Sequence, residues 1–218
     1  MANLTTLFDS IVSGKLESAM EITRQAINEN IDPQSVINNY MIKAMEEIGQ
    51  RFENGQAFVP ELLMAARAMK GPLELLKPLL KGDSSAMLGK VVIGTVKGDL
   101  HDIGKNLVAS MLEGCGFEVV NIGIDIPAEK FVTAVQEEHA DILCMSALLT
   151  TTMEYMEEVI HAVENAGIRD NVKIMVGGAP LSSSFASRIG ADGYSSNANE
   201  AVSVAKRLLS SKTVNLQN

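Results

Sequence analysis

The stretch Val91-Val92-Ile93-Gly94-Thr95-Val96-Lys97-Gly98-Asp99-Leu100-His101-Asp102-Ile103-Gly104 decides the fold. Its first six residues are apolar and mostly β-branched, the pattern of a strand buried on both faces of a parallel sheet. Gly98 breaks the run. Acids, a histidine and a second glycine follow, around the point where a helix-like segment opens at 103. In an open α/β sheet, ligands bind where a strand gives way to a helix at its C-terminal end. His101, with the Asp99 carboxylate two residues earlier, has the parts of a metal ligand and of the group that orients it.

Working outward, residues 118–122, 142–146 and 173–176 are further short apolar runs, and Gly193-Tyr194-Ser195 is a weaker fifth. Helix-like stretches at 103–115, 127–139, 152–166, 182–189 and 197–211 separate them. Strand alternating with helix predicts a parallel sheet covered on both faces. Five such units fit a flavodoxin-like (Rossmann-like) order, 2-1-3-4-5, whose ligand crevice lies between the ends of strands one and three. Those ends carry the histidine loop and the segment Ser146-Ala147-Leu148-Leu149-Thr150-Thr151-Thr152.

Upstream, residues 1–88 read as helix. Leu4, Leu7, Phe8, Ile11 and Val12 fall at helical spacing, and Gly14 ends that run. Leu16 to Ile27 forms a second helix. Asp32-Pro33 reads as an N-cap with proline at the first helical position. From there Val36, Ile37, Tyr40, Met41, Ala44, Met45, Ile48 and Phe52 make a long stripe. After the Asn54-Gly55 turn, Pro60 opens a fourth helix. Four helices with short connections predict an antiparallel bundle. The polar segment Lys81-Gly82-Asp83-Ser84-Ser85 reads as a linker. The expected architecture is therefore α plus α/β: a four-helix bundle over 1–88 and a five-stranded parallel domain over 89–218.

The composition narrows the function. Of 218 residues, 46% are hydrophobic, enough for a substantial core. A net charge of −9 and the lack of a basic cluster argue against nucleic acid. No apolar run reaches the roughly 18 residues of a membrane span. The N-terminus Met-Ala-Asn-Leu-Thr-Thr lacks the basic and apolar regions of a signal peptide. Cys115 and Cys144 read as buried free thiols, which fits a reducing cytoplasm. Twelve methionines, among them Met64 and Met69, fill apolar space and adapt to changing contacts.

Phosphate chemistry does not fit the site. Gly94 to Gly98 has neither the P-loop spacing nor a following Lys-Ser/Thr, and no G-x-G-x-x-G is present. A phosphotransfer receiver needs an aspartate at the end of strand three, where this chain has Cys144-Met145-Ser146. His101 alone is either a structural or exposed loop residue or a metal ligand. A bare ion wants three or four protein ligands. His139 and His161 lie on helix-like segments with no ligand spacing to His101, and read as solvated or half-buried. One histidine makes sense as a ligand when a macrocycle fills the other coordination sites.

Asp99-x-His101-x-x-Gly104, then Ser146-x-Leu148, then Gly177-Gly178 resembles the three-part signature of the cobalamin-binding domain of methionine synthase and its relatives. The helical half resembles the cap domain that precedes it, so the likeness covers nearly the whole chain. The two-domain form is most similar to the corrinoid proteins of methyltransferase systems acting on methylamines, methanol, betaines or aryl methyl ethers.

The resemblance implies a cobalamin or related corrinoid bound base-off, with His101 as the lower cobalt ligand in place of the cofactor's own dimethylbenzimidazole. It implies that Asp99 holds the second imidazole nitrogen. The position six residues after Ser146, a serine in methionine synthase, is Thr152 here, and the hydroxyl would complete a ligand triad. A helix N-cap is the other reading of Thr152, and both roles are compatible. Gly98, Asp102, Ile103 and Gly104 would complete the loop under the corrin. The displaced base and nucleotide tail would enter a slot lined by Ser146, Leu148 and Thr150, floored by Gly177 and Gly178, and closed by Tyr194 and Ala198. A strand-to-loop turn is the plain alternative for the glycine pair. Phe52 and Val59 match the cap residues over the methyl group, with Val59 where methionine synthase has leucine. Ordinary core positions are their alternative.

The implied function is a methyl carrier, cycling between Co(I) and methyl-Co(III), of methanogenic or acetogenic one-carbon metabolism. Its implied partners are a substrate methyltransferase, an acceptor methyltransferase using coenzyme M or tetrahydrofolate, and a separate reductive activation protein. Two other readings are a subunit of an adenosylcobalamin mutase, which needs a radical-generating barrel, and a cobalamin-dependent sensor, which needs a DNA-binding segment.

Overall fold

The computed structural model describes residues 2–80 and 88–215, with side chains described through residue 210. The predicted linker Lys81–Ser85 lies outside the described residues. The chain divides into two compact units, Met1–Met87 with Ser110–Gly116, and Leu88–Ala109 with Phe117–Asn218.

The first unit is helical. α1 (Leu4–Val12) is capped by Asn3, whose side chain accepts from the Thr6 amide, and α2 (Leu16–Asn28) follows Gly14. α3 (Pro33–Val36) opens as the sequence indicates: Asp32 accepts from the Ser35 amide at 2.8 Å and Pro33 takes the first position. α3 runs through a π-helical turn (Ile37–Met41) into α4 (Ile42–Glu53), so the long stripe is one rod with a wide turn in it. A π turn carries five residues where an α turn carries fewer, which lets Val36, Ile37 and Met41 all face inward. Tyr40 and Phe52, read as part of that stripe, are only half-buried. α5 (Val59–Leu76) begins one residue before Pro60, and Glu61 reaches back to accept from the Phe58 amide. Leu7, Ile11, Ala19, Met45, Leu62 and Met69 form the core, whereas Met64 is exposed.

The second unit is built on β1 (Lys90–Val96), β2 (Glu118–Ile126), β3 (Ile142–Ser146), β4 (Lys173–Gly177) and β5 (Gly193–Ser195). They form one parallel sheet in the order β2-β1-β3-β4-β5, as the alternation predicts. The crossover helices are α6 (Ile103–Gly114), α7 (Ala128–Glu137), α8 (Tyr155–Asn165), α9 (Ser183–Arg188) and α10 (Ala198–Asn215). Val92, Val96, Leu143, Met145, Ile174 and Val176 pack with Phe131, Met156, Val159 and Ile160 into one hydrophobic core. Both cysteines are buried thiols outside any disulfide, and burial pushes the Cys144 thiol up to about 12. No helix among the described residues is long and apolar enough to cross a membrane.

Two of the boundaries that differ from the sequence reading matter for the site. β2 continues four residues past Ile122, and its register with β1 slips at Ile93/Gly94 and again at Gly94/Val96. Asn121, Gly123 and Asp125 interrupt the apolar pattern there, and Gly123 and Asp125 take positive φ. α8 begins at Tyr155 with Glu154 before it, so Thr152 lies in the preceding turn and is not the N-cap.

At the sheet's C-terminal edge, Gly178 has φ 142°, and a Cβ there would overlap the Ala147 carbonyl oxygen. Gly178→Ala should therefore destabilise the protein by about 3 kcal/mol, from overpacking plus a strained backbone. Chemical denaturation measures it, and an unchanged midpoint would contradict the close approach of these two loops.

Candidate functional site

The site is built around one buried carboxylate. Asp99 lies just past β1 and is 0% exposed. Its Oδ1 accepts from the His101 amide (3.0 Å) and lies 2.8 Å from the His101 ring Nδ1. Its Oδ2 accepts from the Leu148 amide (2.7 Å) and the Thr152 hydroxyl (2.6 Å). The carboxylate thus ties the loop after β1 to the loop after β3, which adjacent strands β1 and β3 bring side by side. Burial alone raises its pKa. The bonds from Thr152, Leu148 and His101 outweigh burial and hold it well below the usual carboxylate range.

An ionised carboxylate can only accept, so His101 Nδ1 carries a ring proton, which in the neutral imidazole leaves the lone pair on Nε2. The imidazole is 51% exposed, and nothing among the described residues takes Nε2. A fixed tautomer, a braced ring and an outward nitrogen are the features of a metal ligand with its orienting carboxylate. The buried Thr95 hydroxyl holds the loop from beneath by donating to the His101 carbonyl at 2.9 Å.

The surroundings fit a large planar apolar ligand carrying its own metal. Leu100 is 67% exposed and Ile103 is 85% exposed, and Leu148 and Leu149 are also exposed. A Cβ on Gly104 would meet nothing within 4 Å, so that glycine opens onto free space beside the histidine loop. Among the described residues no group of His, Cys, Asp or Glu is arranged to hold a bare ion. One histidine nitrogen on a loop that also carries exposed apolar side chains suits a macrocyclic metal complex.

The other residues picked from sequence lie as follows. Ser146, half-buried, ends β3 and stands in register between Thr95 and Gly177. Gly177 and Gly178 stand at the end of β4, where the Gly177 carbonyl accepts from the Ala147 amide. Thr150 is exposed in the turn before α8. Half-buried Tyr194 lies in β5 with its hydroxyl donating to the Leu181 carbonyl at 3.1 Å, and Ala198 is buried at the start of α10. Gly98 has φ 78°, and Asp102 accepts from the Asn106 side chain at 2.9 Å. Phe52 and Val59 belong to the other unit: Phe52 is half-buried near the end of α4, and Val59 is exposed at the first position of α5.

Several participants escaped the sequence reading. Thr95 looked like one more β-branched strand residue. Lys105 is buried, and its ammonium donates to Asn106 (2.8 Å) and Asn121 (2.6 Å), bracing α6 against β2. Burial pushes its pKa down, with Asp102 opposing. Asp125 bonds the histidine loop from the irregular end of β2. The only signal for these last two was the unexplained polar spacing of Asn121 and Asp125 in an otherwise apolar strand.

The profile of a B12 binding domain matches residues 89–203, and a second profile of the same description matches residues 4–77. The chain belongs to the B12-binding family. Within it, the chain is 44% identical over 207 residues to the dimethylamine corrinoid protein of Methanosarcina barkeri, covering 94% of this chain and 97% of that one. Among solved structures, it is similar to a cobalamin-binding protein from Desulfitobacterium hafniense DCB-2 (TM-score 0.80, 31% identity, 95% of this chain and 99% of that one). It is also similar to a chain of the methanol:cobalamin methyltransferase complex from Methanosarcina barkeri (TM-score 0.81, 31% identity, 95% of this chain and 79% of that one). B12-binding proteins are thus the relatives of both the helical part and the sheet.

Proposed function

We propose that this protein is a corrinoid-binding methyl carrier in which His101 is the lower ligand of cobalt. The observation that carries the reading is the free Nε2 of a half-exposed imidazole whose Nδ1 is fixed by a buried, ionised carboxylate. The bound corrinoid supplies a cobalt that accepts a methyl group when reduced and gives it up when methylated. Asp99 orients the imidazole and, because it is held ionised, keeps it a strong donor. Thr152 supplies one of the donors that keep Asp99 in place. The Nδ1 bond to Asp99 Oδ1 would hold the ring in place with Nε2 directed at the cofactor.

In this reading Ser146, Leu148, Thr150, Gly177, Gly178, Tyr194 and Ala198 would hold the cofactor's own base and nucleotide tail. The helical region, residues 1–88, shields the methyl group from water through Phe52 and Val59 and moves aside for transfer. The sheet region, 89–218, holds the cofactor. The relatives named for dimethylamine and for methanol support a one-carbon donor delivered by a partner methyltransferase, with a methylamine favoured by the 44% identity. A second methyltransferase removes the methyl group to a thiol such as coenzyme M or to tetrahydrofolate, and a separate protein restores oxidised cobalt.

The test is to isolate the protein with its native cofactor and add a methylamine methyltransferase under reducing conditions. The expected result is bound corrinoid that becomes methylated with the amine as donor. Bound adenosylcobalamin that takes no methyl group would overturn the carrier in favour of a mutase subunit or sensor.

A further inference from the structure

Asp125 stands out in the second unit. It is a non-glycine residue with φ 54°, inside the irregular end of β2. For an ordinary side chain this left-handed conformation is unfavourable, and such outliers gather where function requires them. Its bonds suggest the requirement. Asp125 Oδ1 accepts from the Gly98 amide at 2.7 Å, and the Asp125 amide donates to the Asp99 carbonyl at 3.1 Å. The two bonds hold both ends of the Gly98–Asp99 segment to one residue, next to Gly98, which is exposed and has φ 78°. A third bond, from the Asp99 amide to the Val96 carbonyl at 3.1 Å, closes the turn. Asp99 therefore receives its direction from β2 as well as from β1. The register of β2 with β1 shifts over the same stretch, between Ile93 and Val96.

We infer that Asp125 is a positioning residue for the metal ligand: its carboxylate oxygen locks the backbone under Asp99, and Asp99 in turn fixes the His101 ring. The inference rests on the proposed ligation by His101. The acceptor oxygen matters and the charge does not, so Asp125→Asn, which keeps the oxygen and tolerates positive φ, preserves the lock. Asp125→Gly relaxes the backbone but removes the oxygen. A purely structural role would change the stability of Asp125→Gly without changing ligation at the metal, whereas the positioning role predicts a specific defect at the metal.

The experiment has two readouts. In the apoprotein, amide hydrogen exchange at Gly98 is expected to be slow in the wild type and in Asp125→Asn, and fast in Asp125→Gly. With Co(II) cobalamin bound, electron paramagnetic resonance gives the ratio of histidine-ligated to unligated cobalt. That ratio is expected to fall by about 10-fold in Asp125→Gly, the scale for losing a group that orients a ligand, and to stay within about 2-fold in Asp125→Asn. An unprotected Gly98 amide in the wild type, an unchanged ratio in Asp125→Gly, or an equal loss in Asp125→Asn would each overturn the inference. If the wild type shows no histidine-ligated cobalt, the ligation reading fails instead, and Gly98 exchange still decides whether the lock exists.

Discussion

Asp99→Ala should cost about 4 kcal/mol of folding stability, a large share of a domain's total. The substitution leaves the Leu148 and His101 amides, the Thr152 hydroxyl and the His101 ring facing a void where an acceptor stood. Each buried donor left without a partner costs about 1–3 kcal/mol, reduced where water can enter on the His101 side. Thr152→Val removes one donor of the set and should cost about 1 kcal/mol, while Thr152→Ser keeps the hydroxyl on Oδ2 and should lose no more than the buried methyl contributes, about 0.8 kcal/mol. Urea denaturation of the apoprotein measures all three. The acid limb carries a separate signature. The folded-state pKa of Asp99 lies below its unfolded value, so the unfolded chain takes up the proton first. The stability contributed by Asp99 is fully present above about pH 4, the ordinary aspartate range, and is lost as the pH falls below it. Asp99→Asn should therefore lose stability less steeply than the wild type in that window. Parallel acid limbs would contradict an ionised, fully bonded Asp99.

His101→Ala should do the opposite. The ring is half-exposed and its removal leaves Asp99 with three of its donors, so stability should change by no more than about 1 kcal/mol. Methyl transfer, by contrast, should slow by at least about 100-fold, the scale at which loss of a positioning contact affects a reaction. The visible spectrum of the methylated protein should shift from one with an imidazole below the metal to one without. A stable variant with an unchanged spectrum and rate would remove His101 from the chemistry. The contrast with Asp99→Ala is informative, since one residue holds the site together and the other faces the cofactor.

The parallel sheet was legible because each strand is a short apolar run and each crossover a helical one; the order that places β1 and β3 side by side came from the likeness of five such units to a flavodoxin-like sheet. The pairing of Asp99 with His101 was legible because the two are neighbours in sequence. The hydroxyl of Thr152 was legible only by analogy, and its position in a turn before α8 was not, since Thr150-Thr151-Thr152 also resembles a helix start. What remained hidden is long-range. Asp125 meets Gly98 only because β2 runs past its apolar segment and slips register, and no local pattern in Gly123-Ile124-Asp125 announces that slip. The π turn in the third rod was hidden for a related reason, because the Val36 to Met41 step resembles an ordinary helical stripe until burial is examined.

The most direct test is the nitrogen below the cobalt. Protein grown with 15N-labelled histidine, loaded with unlabelled Co(II) cobalamin, should give an electron paramagnetic resonance spectrum whose lines are split into doublets by a 15N ligand from His101. Triplet splitting would mean that the cofactor's own 14N base still occupies the position, and unsplit lines would mean that no nitrogen does. Either result would contradict ligation by His101.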